Sequence, residues 1–277
     1  MAITLPLDKI QSIRLASVLL ESEYDICFPA SAEPVLEALS KYFAVSYRIG
    51  TQDAVPLKDV AIAHGPVPES RIGRISRPLL YPHAAVRRCR DKWRAERDVR
   101  FSFTGLVTPG RKRILEAWCQ SQLGEKIAVR ATRETYLQRL VSRISSGFDK
   151  PQKFPAVGLE IFTSNRGRVF PAKVWDDGYF DTLARSQFVL CPDGDFIWTY
   201  RFFEAILCGA IPIIEHTCPL YERFEYFTMQ DDAEKLVRSP KTVERNFAEA
   251  LRQLTVGSEE LNRELTRLVD ESDHRPT

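Results

Sequence analysis

Between Ser186 and His216 the sequence reads SQFVLCPDGDFIWTYRFFEAILCGAIPIIEH, and its polar residues fall at intervals suited to gripping a phosphorylated ligand. Thr199 stands where a helix N-cap belongs, and Arg201 follows in the first turn. A cation there is disfavoured by the helix dipole, so structure alone explains it poorly. A bound anion reverses that penalty, because backbone N–H groups at a helix start face the same ligand. Glu204 lies three residues on, on the same face, where a carboxylate can accept ribose hydroxyls while Arg201 meets phosphate. We expect it to be partly exposed. A surface i,i+3 ion pair is the bland alternative and contributes only a few tenths of a kcal/mol. The apolar Phe202, Phe203, Ile206 and Leu207 around the pair weigh against it.

These residues need a scaffold, and the local pattern supplies one. Phe188 to Cys191 reads as a buried strand, Tyr200 to Cys208 as a helix stopped by Gly209, and Ile211 to Ile214 as a second buried strand. Apolar runs of this kind belong to a parallel sheet covered on both faces, whose ligands sit beyond the carboxyl ends of the strands. Asp193-Gly194-Asp195 and Glu215-His216 both fall at such ends.

Further upstream, RFSFTGLV from Arg100 reads as a strand, TPG as a turn and RKRILEAWCQSQL as a helix. Lys126 to Arg130 is a short strand, 142–158 a surface loop and Tyr179 to Ser186 a helix. Residues 229–272 read as two polar helices separated by Pro240. The first hundred residues suggest helices from Ile10 to Leu19 and from Glu33 to Phe43, with strands at Ala44 to Arg48 and Lys58 to Ala63 in one βα layer. The turn-forming His64-Gly65-Pro66 ends the last of them.

Composition sets the bounds. With 277 residues, 44% hydrophobic and 27% charged, the chain is long enough for one large or two small domains with real cores. A formal charge of +2 argues against a nucleic-acid binder relying on a broad cationic field. Six scattered cysteines without zinc-ligand spacing fit a reducing compartment. No apolar run long enough for a signal or transmembrane segment stands out, so a cytoplasmic protein is expected. The basic stretch 87–100 reads as a solvated face with internal ion pairs, or else as a peripheral contact at the inner membrane face.

The 186–216 segment resembles the C-terminal signature of the exostosin-type glycosyltransferases. In that family a strand ends in Cys-Pro before a Gly loop, an Arg and a Glu share one helix, and a Gly stop precedes an Ile-Pro strand. RFSFTGLVTPGRKRILEAW, residues 100–118, more weakly resembles the opening of the same donor domain. The resemblance implies a GT-B-like α/β fold: two Rossmann-like domains with parallel sheets and a cleft between them, the N-terminal one small. On that basis 1–98 is the acceptor-side domain, 99–255 the nucleotide-sugar donor domain and 256–277 a C-terminal helix and tail.

The resemblance further implies that Arg201 contacts the donor diphosphate and Glu204 the ribose, with Thr199, Tyr200 and Gly194 in the same donor site. Arg111 and Arg113, near another helix start, become extra phosphate contacts or remain ordinary solvated charges. Glu215 orients the sugar or caps the next loop. No cofactor and no divalent metal is implied, because Asp193-Gly194-Asp195 lies in a loop the family uses without one; it should mostly shape the turn. The expected reaction is transfer, with inversion, from a nucleotide-sugar, a UDP-sugar first, to a saccharide, polysaccharide or glycolipid acceptor. His64 is the leading candidate for the base that takes the acceptor proton, ahead of His83, Asp25 and Asp193. Two other readings stand beside it: a catalytically inactive nucleotide-sugar or glycan-binding module, and a sulfotransferase-like enzyme, for which TGLVTPGRKR is a poor phosphate loop.

Overall fold

The computed structural model describes residues 2–4, 10–50, 54–57, 59–132, 151–164 and 173–273. Two compact units divide the chain: Met1–Arg87 together with Leu251–Thr277, and Arg88–Ala250. Both are α/β, as the sequence predicts.

In the first unit, β1 (Ala2–Thr4), β2 (Asp25–Phe28), β3 (Arg48–Ile49) and β4 (Val55–Pro56) make a parallel sheet in the order β3-β2-β1-β4. The helices Ile10–Leu19 and Glu33–Ser40 cross between its strands. Of the strand expected over Ala44 to Arg48 only Arg48 enters the ladder, joined by Ile49. A larger departure follows. β5 (Val60–Ala63), β6 (Glu69–Ile72) and β7 (Ile75–Arg77) form a separate antiparallel sheet, where the sequence suggested a strand of the βα layer. The reason is spacing. Ile72 pairs with Ile75 across a turn begun by Gly73 at φ +55, and hairpin-length connections leave no room for the crossover that parallel strands need.

The C-terminal segment is not a separate tail. Leu261, Leu265, Leu268 and Val269, on the helix Ser258–Asp273, are buried with Ile3, Leu19, Ile26 and Phe28 in the first unit's core. Each such side chain contributes about 1.5–3 kcal/mol when fully buried, which holds the segment there. The two compact units change over at Arg87/Arg88 and again at Ala250/Leu251.

The second unit holds a six-stranded sheet in the order β13-β12-β11-β8-β10-β9. Its strands are β8 (Val99–Gly105), β9 (Gln152–Phe154), β10 (Leu159–Thr163), β11 (Ser186–Cys191), β12 (Ile211–Ile214) and β13 (Phe227–Thr228). All pair in parallel except β9, which runs antiparallel on the edge. Phe101, Phe103, Ile161, Phe188, Leu190, Ile211 and Ile213 bring the strands into one core with Leu115 and Trp118 of the helix Pro109–Leu123.

Lys126–Arg130 forms no strand. There the backbone is satisfied by side chains instead: Val129 N donates to Glu116 Oε1 at 2.8 Å and Arg130 N to Gln152 Oε1 at 2.7 Å. Of the loop predicted over 142–158, residues 142–150 lie outside the described residues, and β9 occupies part of the remainder. Pro240 begins a helix, Pro240–Leu254, instead of separating two, because its fixed φ suits a first turn.

Strand order matters for function. From β8 the chain continues to the β10/β9 side of the sheet, whereas from β11 it continues to the β12/β13 side. The carboxyl ends of the neighbouring β8 and β11 therefore flank a topological switch point, the place where open α/β sheets bind ligands.

Candidate donor site at the β8/β11 edge

Two arginines straddle that switch point. Arg201, in the first turn of the helix Tyr200–Leu207, donates through Nε to the carbonyl oxygen of Thr104 near the end of β8. Its guanidinium carbon lies 4.2 Å from the centre of the Phe103 ring. Only 7% of the residue is exposed, and its buried Nη1 has no hydrogen-bond partner. Thr104 Oγ1 is likewise buried without one. A buried cation with an unused donor is costly unless something meets it, and an anionic ligand does so.

Gly105 makes this arrangement possible. Its φ of +133 is unfavourable for a side chain, and a Cβ at that position would lie 2.6 Å from Arg201 Nη2.

Arg111 is carried by the helix after β8, whose N-cap Thr108 accepts from the Arg111 backbone N–H. From there its side chain crosses to the next strand's loop: Nη1 donates to Leu106 O at 3.1 Å and Nε to Asp193 O at 3.2 Å. Gly194 lets the guanidinium approach, since a Cβ there would stand 3.1 Å from Arg111 Nη2. Arg113 is exposed on the same helix and makes no such crossing.

Thr199 caps the helix Tyr200–Leu207, its hydroxyl accepting from Phe202 N, as the sequence predicts. Tyr221 supports the turn from below: its hydroxyl accepts from Thr199 N at 2.8 Å while its ring stacks on Phe202 at 3.7 Å. Tyr200 is half-buried beside Trp198, with ring centres 5.2 Å apart.

Glu204 departs from expectation by being 1% exposed. Its Oε2 accepts from the Tyr179 hydroxyl at 2.6 Å, a partner supplied by the helix Asp177–Arg185. Tyr179, from a neighbouring helix, meets the carboxylate in the interior.

At the end of β11, burial pushes the Cys191 thiol up to about 12, with the charges of Arg201, Glu204 and Arg111 also acting on it. It stays a neutral thiol at ordinary pH and is no nucleophile.

Beyond the strands, Asp193 and Glu215 join adjacent loops: Asp193 N donates to Glu215 Oε2 at 3.0 Å. Asp193 Oδ2 in turn lies 2.8 Å from His216 Nδ1. Burial, the largest cause, raises the Asp193 carboxyl above its ordinary range, and the bond to Asp193 raises His216. One ligand atom from each of the three residues falls within 4.8 Å of the others, and the two hydrogen bonds just described link them. The DGD stretch also shapes the turn, with Gly194 N donating to Phe196 O at 3.0 Å.

Comparison with known families bears directly on this segment. Residues 161–264 match the RXYLT1 C-terminal domain family. It is an exostosin-related xylosyltransferase family, so over these residues the chain is similar to a glycosyltransferase family, in agreement with the exostosin-type resemblance. No curated protein matches the sequence. A solved structure titled crystal structure of GtfA/B complex is similar at 11% identity, over 90% of this chain and 46% of that chain, with a TM-score of 0.34. This chain thus spans less than half of that chain's length.

The other predicted base candidates lie in the first unit. His64 is exposed and follows β5, an edge strand of the antiparallel sheet, so it does not stand at the carboxyl end of a parallel strand. His83 Nε2 is engaged with Val256 O at 2.9 Å, and Asp25 pairs with Arg48 at 2.8 Å on the surface.

Arg90, Lys92 and Asp98 of the 87–100 stretch meet partners within the second unit. Arg90 pairs with Glu244 at 3.0 Å and Lys92 with Asp181 at 2.6 Å. Arg97 is buried and donates to the carbonyl oxygens of Leu183, Ser186 and Cys208. Among the described residues no helix is long and apolar enough to cross a membrane.

Sequence reasoning missed Thr104, Tyr179 and Tyr221, and it placed His216 on the ligand edge without giving it a role. His216 stands two residues beyond a predicted strand, whereas the other three are defined by partners 22 to 97 positions away.

Proposed function

We propose that this chain is a glycosyltransferase that binds a UDP-sugar at the β8/β11 edge and transfers its sugar, with inversion, to a saccharide or glycolipid acceptor. The observation that carries the reading is Arg201 Nη1, a buried and unpartnered cationic donor in the first turn of a capped helix at the switch point. A nucleoside diphosphate supplies the missing acceptor atoms and gains the helix dipole as well. Glu204, already hydrogen-bonded by Tyr179, accepts the ribose hydroxyls once the site is occupied. Arg111 and Gly194 line the same edge, and Glu215 holds the loop beside it.

Departure of the diphosphate needs its growing charge stabilised, and two guanidiniums with a helix N-terminus supply that without a metal ion. UDP-xylose heads the donor panel because the matched family is one of xylosyltransferases.

The test is UDP binding by thermal shift and calorimetry, followed by UDP release from a panel of UDP-sugars in the presence and absence of EDTA. Arg201→Lys keeps a charge but loses the planar fork, and should weaken UDP at least tenfold while the protein still melts cooperatively. Unchanged UDP affinity in Arg201→Lys overturns the site. UDP binding without release from any donor identifies the inactive binding module instead.

A further inference from the structure

We propose that His216 is the base that takes the acceptor proton and that Asp193 is the residue that positions it; this rests on the glycosyl-transfer reading above. The register of the sheet creates the pair. Cys191 and Ile214 are direct partners at the ends of the parallel strands β11 and β12, so Asp193 and His216, each two residues further on, emerge side by side on the ligand edge.

Their geometry is that of an orienter and a base. An ionised Asp193 can only accept, so the 2.8 Å contact with Oδ2 places the ring proton on His216 Nδ1 and leaves the lone pair on Nε2. His216 is 63% exposed, so that lone pair is open to an incoming hydroxyl. Asp193 itself cannot do this work: Oδ2 is engaged and Oδ1 is buried away from solvent.

What distinguishes the pair from a casual surface contact is how the aspartate is held. Its backbone N–H is bound by Glu215 Oε2 at 3.0 Å, and its carbonyl oxygen by Arg111 Nε at 3.2 Å. Arg111 also reaches Leu106 O, which ties the pair to the β8 end where Arg201 stands. The charged and titratable groups acting on the pair are Asp193 and Glu215 on His216, and Glu215 and Arg111 on Asp193, with the neutral Cys218 thiol nearby; the two carboxylates favour a more basic ring.

In the step itself, the acceptor oxygen bonds to the anomeric carbon as its proton passes to His216 Nε2. The bond from that carbon to the phosphate oxygen breaks, and its electron pair leaves with UDP. The imidazolium, paired with Asp193, then releases its proton to solvent.

The test uses the full chain, UDP as the binding probe, and as donor whichever UDP-sugar of the panel is turned over. His216→Gln should lower kcat by about 10²–10⁴-fold while UDP affinity stays within about threefold. Asp193→Asn should lower kcat at least tenfold and move the acid limb of the pH profile downward. In the same variant, an NMR titration of His216, which needs no turnover, should give a lower midpoint than wild type. The proposal is overturned if His216→Gln keeps its kcat, if it loses UDP binding instead, or if Asp193→Asn leaves the His216 titration unmoved. Failure of the wild-type chain to bind UDP at all is a different result: it removes the donor-site reading and this step with it.

Discussion

Arg111 Nε donates to the carbonyl oxygen of Asp193 at 3.2 Å, which fastens the helix after β8 to the loop after β11. That one bond spans the switch point, so the two loops on the ligand edge are held as a single surface. Arg201 makes the companion crossing in the opposite sense, from the helix after β11 to the carbonyl of Thr104 on β8.

Gly105→Ala tests whether the crossing needs close approach. The backbone at φ +133 is unfavourable for alanine, and the new methyl would lie 2.6 Å from Arg201 Nη2. A cost of about 1–3 kcal/mol in stability is expected from the strained backbone. UDP affinity should fall with it, because Arg201 has to move. Calorimetric melting and UDP titration of the same variant check both halves.

Glu204 separates charge from hydrogen bonding. Glu204→Gln retains an oxygen for the Tyr179 hydroxyl, so it should melt within about 1 kcal/mol of the parent. Glu204→Ala leaves that buried hydroxyl without its acceptor and should lose about 1–3 kcal/mol. Both should weaken UDP more than they weaken inorganic pyrophosphate, since ribose is the group they no longer hold. Equal losses for the two ligands would rule out the ribose assignment.

Arg97 serves as the structural counterpart. It donates to Ser186 O at 2.6 Å and Cys208 O at 2.7 Å in the interior, and burial lowers its pKa to about 10. Arg97→Met should destabilise the chain by about 3–5 kcal/mol, because it orphans buried carbonyls. Whatever fraction stays folded at low temperature should bind UDP normally, which chemical denaturation and calorimetry can establish.

The Asp193–His216 pair also predicts how stability responds to pH. Its bond to Asp193 raises the folded pKa of His216, so the stabilisation is complete below the unfolded value of about 6.5. It is lost as pH rises through the folded value. The melting temperature should therefore decline slightly from pH 6 towards pH 8, and Asp193→Asn should flatten the decline. The effect is small because His216 is largely exposed and its charge is well screened. Melting curves across that range provide the check.

Local features were legible in the sequence. Thr199 as N-cap, Arg201 and Glu204 on one helical turn, the Gly209 stop and the strands β11 and β12 all depend on neighbours a few residues apart, where propensity and periodicity act. The α/β class followed from the same alternation. Tertiary structure alone decided the rest. Glu204 is buried because Tyr179 packs over it from another helix, and Asp193 meets His216 because β11 and β12 lie in register. The antiparallel hairpins of the first unit, and the recruitment of Leu261, Leu265 and Leu268 to its core, belong to the same kind. Pairing partners and burial are set by contacts between segments far apart in the chain, and periodicity says which face of an element is apolar without saying what will cover it.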